Sequence, residues 1–185
     1  MDDYSNYLSK QKVKSSSPIT QQSLLQKRAN RIRIFADVFK SLNVDFTNKK
    51  VLCLGARMGE EVEALKNMGA NALGMDLVPY LPLVIEGDMN KLKMEDKYDI
   101  IYTNSMDHMY DVHMLMAGVH ETLVNDGLFI AHICPAAFPI EKSKVNPDDI
   151  YGIMTEKFDL IFKNKQQSKL YPFEEYACIF KRKLC

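Results

Sequence analysis

Residues 51–65, VLCLGARMGEEVEAL, pass from an unbroken apolar run into an acidic amphipathic one through a turn framed by Gly55 and Gly59. Such a turn, between a strand and a helix, exposes bare backbone and the unpaired N–H groups of a helix N-terminus, so a ligand can lie directly on the peptide. Asp76 follows Gly55 at roughly the 20-residue interval at which a carboxylate closing the next strand accepts hydrogen bonds from both hydroxyls of a ribose. Asp88, in EGDMN, is suited to accept from an exocyclic amine such as that of adenine, with Met89 packing on the ring. Each of these residues also has a plainer use: glycine shapes any tight turn, and aspartate caps turns and short helices. Their combination at these intervals, together with Asn104 and Ser105 at the end of a further apolar run, favours a crevice for a nucleoside.

A dinucleotide fits less well. The GxGxxG fingerprint would place glycine at positions 57 and 60, where the chain has Arg57 and Glu60, and Glu60 would turn negative charge toward a pyrophosphate. A cationic, phosphate-free ligand carrying adenosine suits these residues better. Arg57 itself can pair with a carboxylate of such a ligand, with a substrate, or within the protein with Glu61. Downstream, the stretch SMDHMYDVH supplies His108 as a general base, with Asp107 or Asp111 to orient it or share the task. Asp107, His108, Asp111 and His113 are also ligand types for a divalent cation, but their spacing is not diagnostic and no metal is expected. His113 and His120 fall on the following helix and read as packing or surface residues. The basic residues Lys27, Arg28, Arg31 and Arg33 read first as a solvated helix face and second as a surface for an anionic acceptor.

These residues need a framework to bring them together. Apolar runs predict strands at 49–55, 71–77, 81–88, 98–105 and 128–133, and a hairpin at 157–164 and 176–183. Helical spacing predicts helices from Pro18 to about Leu42, over 60–69 and over about 112–124, with NDG at 125–127 as a turn. The alternation implies an α/β fold: a doubly wound, mostly parallel seven-stranded sheet with helices on both faces and a C-terminal antiparallel hairpin. Its ligand belongs at the carboxyl ends of the strands. Residues 18–185 read as a single domain, preceded by a polar, serine-rich tail or flap over 1–17 that orders on binding. The 24 basic residues balance the 24 acidic ones, so no global field points to nucleic acid. No run approaches the roughly 18 apolar residues of a membrane span. The opening MDDYSNYLSK is unlike a signal peptide, which makes a cytoplasmic location the expectation. The four cysteines show no zinc spacing and read as reduced thiols, with Cys53 serving as a small hydrophobe inside its strand.

From KKVLCLGARMG through GMDL, EGD and YDIIYTNS to DGLFIAHI and the terminal hairpin, the chain resembles class I S-adenosylmethionine-dependent methyltransferases over about residues 49–183. The resemblance implies that Gly55, Ala56, Arg57 and Gly59 cradle the methionine part of S-adenosylmethionine. It implies that Asp76 and Leu77 hold the ribose and that Asp88 and Met89 meet the adenine, with Asn104 to His108 beside the transferred methyl group. Two positions depart from the family's acid-x-Gly-x-Gly-x-Gly loop: Cys53 stands for the acid that helps anchor the cofactor's ammonium, and Arg57 for the middle glycine. The implied reaction is methylation of a small polar acceptor, with a hydroxyl of a sugar or nucleotide sugar as the first choice. The chain has NSMD where amino-methylating relatives carry Asn-Pro-Pro-aromatic, and it has no added substrate domain. The tail, the first helix and the stretch from Pro135 to Tyr151 are left to shape a small acceptor pocket, in a monomer or homodimer without nucleic-acid or membrane partners. The alternatives are a nicotinamide-dinucleotide oxidoreductase and a non-catalytic partner subunit of the same fold.

Overall fold

The structure, a computed structural model, describes residues 3–80, 82–134, 147–169 and 172–184. Its centre is β1 (Lys50–Leu54), in which Val51, Leu52, Cys53 and Leu54 are all buried, as a parallel strand covered on both faces requires. β1 runs parallel to β2 (Asn71–Asp76) on one side and to β4 (Tyr98–Thr103) on the other, with Leu52 beside both Leu73 and Ile101. Outward from these lie β3 (Val84–Glu86) and β5 (Leu123–Ile133), also parallel. β6 (Phe158–Gln167) and β7 (Glu174–Arg182) form the hairpin, and β7 inserts antiparallel between β5 and β6. The described residues thus make a seven-stranded sheet of order β3-β2-β1-β4-β5-β7-β6, the doubly wound and mostly parallel sheet expected.

Successive strand residues point to opposite faces, and the two faces have separate cores. Val51, Cys53, Ile100 and Tyr102 pack under α2 (Pro18–Ser41) and α3 (Glu60–Asn67), where Phe35 and Phe39 stack and Phe39 meets the Tyr102 ring edge-on at 4.8 Å. Leu52, Leu54 and Ile101 pack under α4 (Val112–Thr122) and α5 (Pro147–Lys157). No helix among the described residues is long and apolar enough to cross a membrane.

Local features differ from the sequence expectations. Residues 3–16, which composition assigns to a tail or flap, form helix α1 (Asp3–Ser16); the Tyr4 and Tyr7 rings, one helical turn apart, pack against Tyr110 at 4.8 and 5.2 Å. The third strand is confined to Val84–Glu86, because Pro79 and Pro82 offer no N–H to a ladder; Leu81, the first residue of the expected span, lies outside the described residues. The NDG turn lies inside β5: Asp126 takes φ 61° and the pairing jumps from Tyr98 with Leu123 to Ile100 with Leu128. α5 has no counterpart in the sequence reading, and positions 135–146 of the expected acceptor segment lie outside the described residues.

Phe39, fully buried between α2 and the sheet, tests the first core. Phe39→Ala is expected to lower unfolding stability by about 3–5 kcal/mol in denaturant titrations. A loss below about 1 kcal/mol would show that α2 is not anchored there.

Candidate active site

The strand order reverses between β1 and β4, and the chain leaves these strands at Gly55 and at Asn104. Gly55 has φ 77°, and a Cβ there would stand 2.6 Å from Ser105 Oγ and 2.7 Å from Ser105 Cβ. Gly59 has φ 67°, and a Cβ there would approach the Val84 side chain at 3.3 Å. Left-handed backbone and the protein's own packing are therefore enough to require glycine at both positions. Gly55 borders the crevice, whereas Gly59 packs behind it, outside the lining of either cavity described below.

Asp76 ties β2 to the glycine turn. Its Oδ2 accepts the Arg57 backbone N–H at 3.0 Å and its Oδ1 accepts that of Val78 at 2.9 Å. A carboxylate has about four acceptor directions, so roughly half its capacity remains for a ligand. Asp88 does both things considered for it. Its Oδ1 caps the short 3-10 turn Met89–Lys91 by accepting the Asn90 N–H at 2.9 Å, while its carboxylate borders the crevice. Asp88 Oδ2 accepts the Tyr4 hydroxyl from α1. The Tyr4 phenol is pushed up from its ordinary range by burial first, then by this bond and the Asp88 charge.

After β4, Ser105 Oγ donates to Asn104 Oδ1 at 3.3 Å and the His108 N–H donates to the Ser105 carbonyl at 3.0 Å. The His108 ring presents Nε2 to Asp107 Oδ2 at 3.6 Å, and its carbonyl accepts the Tyr7 hydroxyl. Asp111 is used otherwise. Its Oδ1 accepts the N–H groups of His113 at 2.8 Å and Met114 at 3.2 Å, so it caps α4, and of the two acids named for His108 only Asp107 pairs with its ring. Among the described residues no group of His, Cys, Asp and Glu is arranged to hold a metal ion.

Two cavities meet at Gly55, Arg57, Ser105 and His108. The first, about 60 Å³, is bordered by Met75, Asp76, Leu77, Asp88, Met89 and Asn90 and covered by Tyr7, Gln11 and Ser15 of α1. The second, about 230 Å³, reaches Ala56, Met58, Asn104, Glu60, Glu61 and, from the helices above, Lys14, Leu24 and Arg31. Two residues of the basic stripe of α2 turn toward α3: Arg31 Nε meets Glu60 Oε1 at 2.9 Å, while Arg28 pairs with Glu63 and donates to the Met58 carbonyl at 3.3 Å. Arg57 does not pair with Glu61; its Nη2 donates to Ser15 Oγ at 3.1 Å. Glu61 is buried, and its carboxyl is pushed up to about 8 by that burial, with the charges of Glu60 and Asp76 adding to the rise and its own backbone N–H and Arg31 opposing it. The Cys53 thiol below it is pushed up by burial and by the Glu61 charge.

Sequence reasoning passed over Tyr4, Tyr7, Gln11 and Ser15, which lay in a stretch read by composition; the YxxY spacing of Tyr4 and Tyr7 was the available signal. It also passed over Asn90, whose Oδ1 accepts the N–H groups of Tyr110 and Asp111 at 2.9 and 3.1 Å and so joins the Asp88 turn to α4. His132 and Glu175, a buried pair with Nδ1 to Oε1 at 3.0 Å on β5 and β7, border neither cavity.

No protein-family model and no curated protein matches the chain. Solved structures do, and they show the fold to be that of S-adenosylmethionine-dependent methyltransferases. A TehB-like S-adenosylmethionine-dependent methyltransferase from Corynebacterium glutamicum is similar with a TM-score of 0.68 at 19% identity, over 90% of this chain and 100% of that one. The glycopeptide N-methyltransferase MtfA, solved with S-adenosyl-L-homocysteine, gives 0.65 at 13% identity over 81% of this chain and 89% of its own. The N-methyltransferase NodS from Bradyrhizobium japonicum gives 0.63 at 11% identity, over 86% and 96%.

The raised Glu61 carboxyl makes stability depend on pH. Below the ordinary carboxyl value of 4.5 both states hold the proton; above it the unfolded chain ionises while the folded one does not, so stability falls as pH rises until about 8. Glu61→Gln is expected to remove that decline, on the order of a few kcal/mol between pH 5 and 9, in denaturant titrations. An unchanged pH profile would place the Glu61 carboxyl in solvent.

Proposed function

We propose that the chain is an S-adenosylmethionine-dependent methyltransferase that transfers a methyl group to a small polar acceptor, in the first place a hydroxyl of a sugar or related molecule. The observation that carries this reading is the convergence of Asp76, Asp88, Gly55 and Ser105 on a crevice that continues past His108 into a second cavity. The donor set suits the cofactor. Asp76 keeps acceptor capacity for ribose hydroxyls, and Asp88, which accepts the Tyr4 hydroxyl, has the acceptor an adenine amine requires.

When bound, the cofactor supplies an electrophilic methyl on a sulfonium, and alignment of the acceptor is the main thing the protein must contribute. Asp76 and Leu77 fix the ribose, and Asp88 and Met89 the adenine. The loop from Gly55 to Arg57 orients the amino-acid end. His108 takes the acceptor's hydroxyl proton; its Nδ1 has no hydrogen-bond partner among the described residues, and Asp107 stands at 3.6 Å to stabilise the imidazolium. The first cavity, at about 60 Å³, is far below the roughly 300 Å³ and more of a small-molecule site, so α1 shifts as the nucleoside enters. A second reading, transfer to an amine, is favoured by the N-methyltransferases among the similar structures and dispenses with His108 as base.

Calorimetry with S-adenosylmethionine tests the reading as a whole, and no heat or thermal shift at millimolar cofactor would remove it. Asp76→Ala is expected to weaken binding by about 1–3 kcal/mol. His108→Ala is expected to slow transfer to a hydroxyl acceptor by about 10²–10⁴-fold while leaving cofactor affinity unchanged. Full turnover by that variant would exclude His108 as the base.

A further inference from the structure

The glycine turn lacks its expected acid at Cys53, whose side chain points into the core under α2 and α3. A carboxyl group nevertheless reaches the same neighbourhood from α3. Glu61, in the first turn of that helix, is only 3% exposed, borders the second cavity with Gly55 and Arg57, and its charge acts directly on the Cys53 thiol. A buried carboxyl is ordinarily held by a cation. Among the described residues neither Glu61 nor Arg57 has an ion-pair partner: Arg31 is turned to Glu60, and Arg57 reaches only Ser15, leaving its Nε buried without an acceptor. An acid and a base, neither of them in an ion pair among the described residues, therefore border the same cavity.

We propose that Glu61 and Arg57 form a clamp for a zwitterionic amino-acid group, the Glu61 carboxylate taking its α-ammonium and the Arg57 guanidinium its α-carboxylate. The proposal rests on the reading of the site as a S-adenosylmethionine site and assigns its amino-acid end to residues outside the usual glycine-loop acid. Charge balance follows once Glu61 gives up its proton: its carboxylate then faces the ligand's ammonium, and the Arg57 guanidinium faces the ligand's carboxylate. The surroundings set the proton count: Glu60 and Arg31 lie on α3 and α2, Asp76 ends β2, Cys53 lies on β1, and Lys14 and His108 border the same cavity from α1 and the turn after β4. Because free Glu61 holds its proton near neutral pH, seating the ammonium releases that proton to solvent, and binding becomes tighter as pH rises toward 8.

Two ligands separate this claim from the one beneath it: S-adenosylhomocysteine, which carries the amino-acid end, and 5′-methylthioadenosine, which lacks it. Calorimetry on the full chain is expected to show S-adenosylhomocysteine binding about 100-fold more tightly, with Glu61→Gln and Arg57→Gln each weakening it about 10–100-fold. Both variants should bind 5′-methylthioadenosine within about twofold of the parent chain, which also reports that they fold. In buffers of different ionisation enthalpy at pH 7, S-adenosylhomocysteine should release a proton that Glu61→Gln does not release. Equal affinity of the parent chain for both ligands, or no change in either variant, overturns the clamp while leaving the nucleoside site standing. Failure of the parent chain to bind either ligand overturns both.

Discussion

The site depends on a steric constraint at the point where the sheet reverses its winding. Gly55 and Ser105 leave adjacent strands so close together that no side chain fits at position 55, and the backbone there must turn left-handed. That contact brings the turn after β1 against the turn after β4, and Asp76 locks the arrangement from the third side through the Arg57 and Val78 N–H groups. The crevice is thus a consequence of how three strand ends meet. The groups bordering it are held by backbone hydrogen bonds and sheet packing, the rigid support that a binding constellation needs.

Charge is arranged around this frame with equal economy. The first turn of α3 carries Glu60, Glu61 and Glu63, a favourable place for acids beside the helix dipole. Glu60 and Glu63 are matched by Arg31 and Arg28 of α2, and those pairs fasten the two helices across the cavity's outer wall. Glu61 points inward and is left unmatched, like Arg57 across the turn.

Much of this was legible in the sequence because it follows from period and punctuation. The strands came from short apolar runs buried on both faces, and the order of strands and helices left little choice but a doubly wound sheet. Asp76 was placed by its distance from Gly55 and Asp88 by its position at the end of the third predicted strand, and both border the crevice. What was not legible depended on contacts between distant segments. Gly59, read as part of the ligand loop, packs near Val84 and outside the lining of both cavities, and Asp111, read as a partner for His108, has its carboxylate taken by the start of α4. Helix α1 escaped for a related reason: its mean composition is polar, and its hold on the domain comes from tyrosines and a serine that reach residues far along the chain, such as Asp88 and Arg57.

That hold has a thermodynamic consequence. Tyr4 donates to the Asp88 carboxylate, Tyr7 to the His108 carbonyl, and Ser15 accepts from one nitrogen of the Arg57 guanidinium, so the chain itself supplies polar partners to the crevice. In the proposed reading the arriving nucleoside exchanges one set of polar contacts for another of the same kind. In that reading the helix works as an internal competitor, and its displacement sets the apparent strength of the ligand that replaces it.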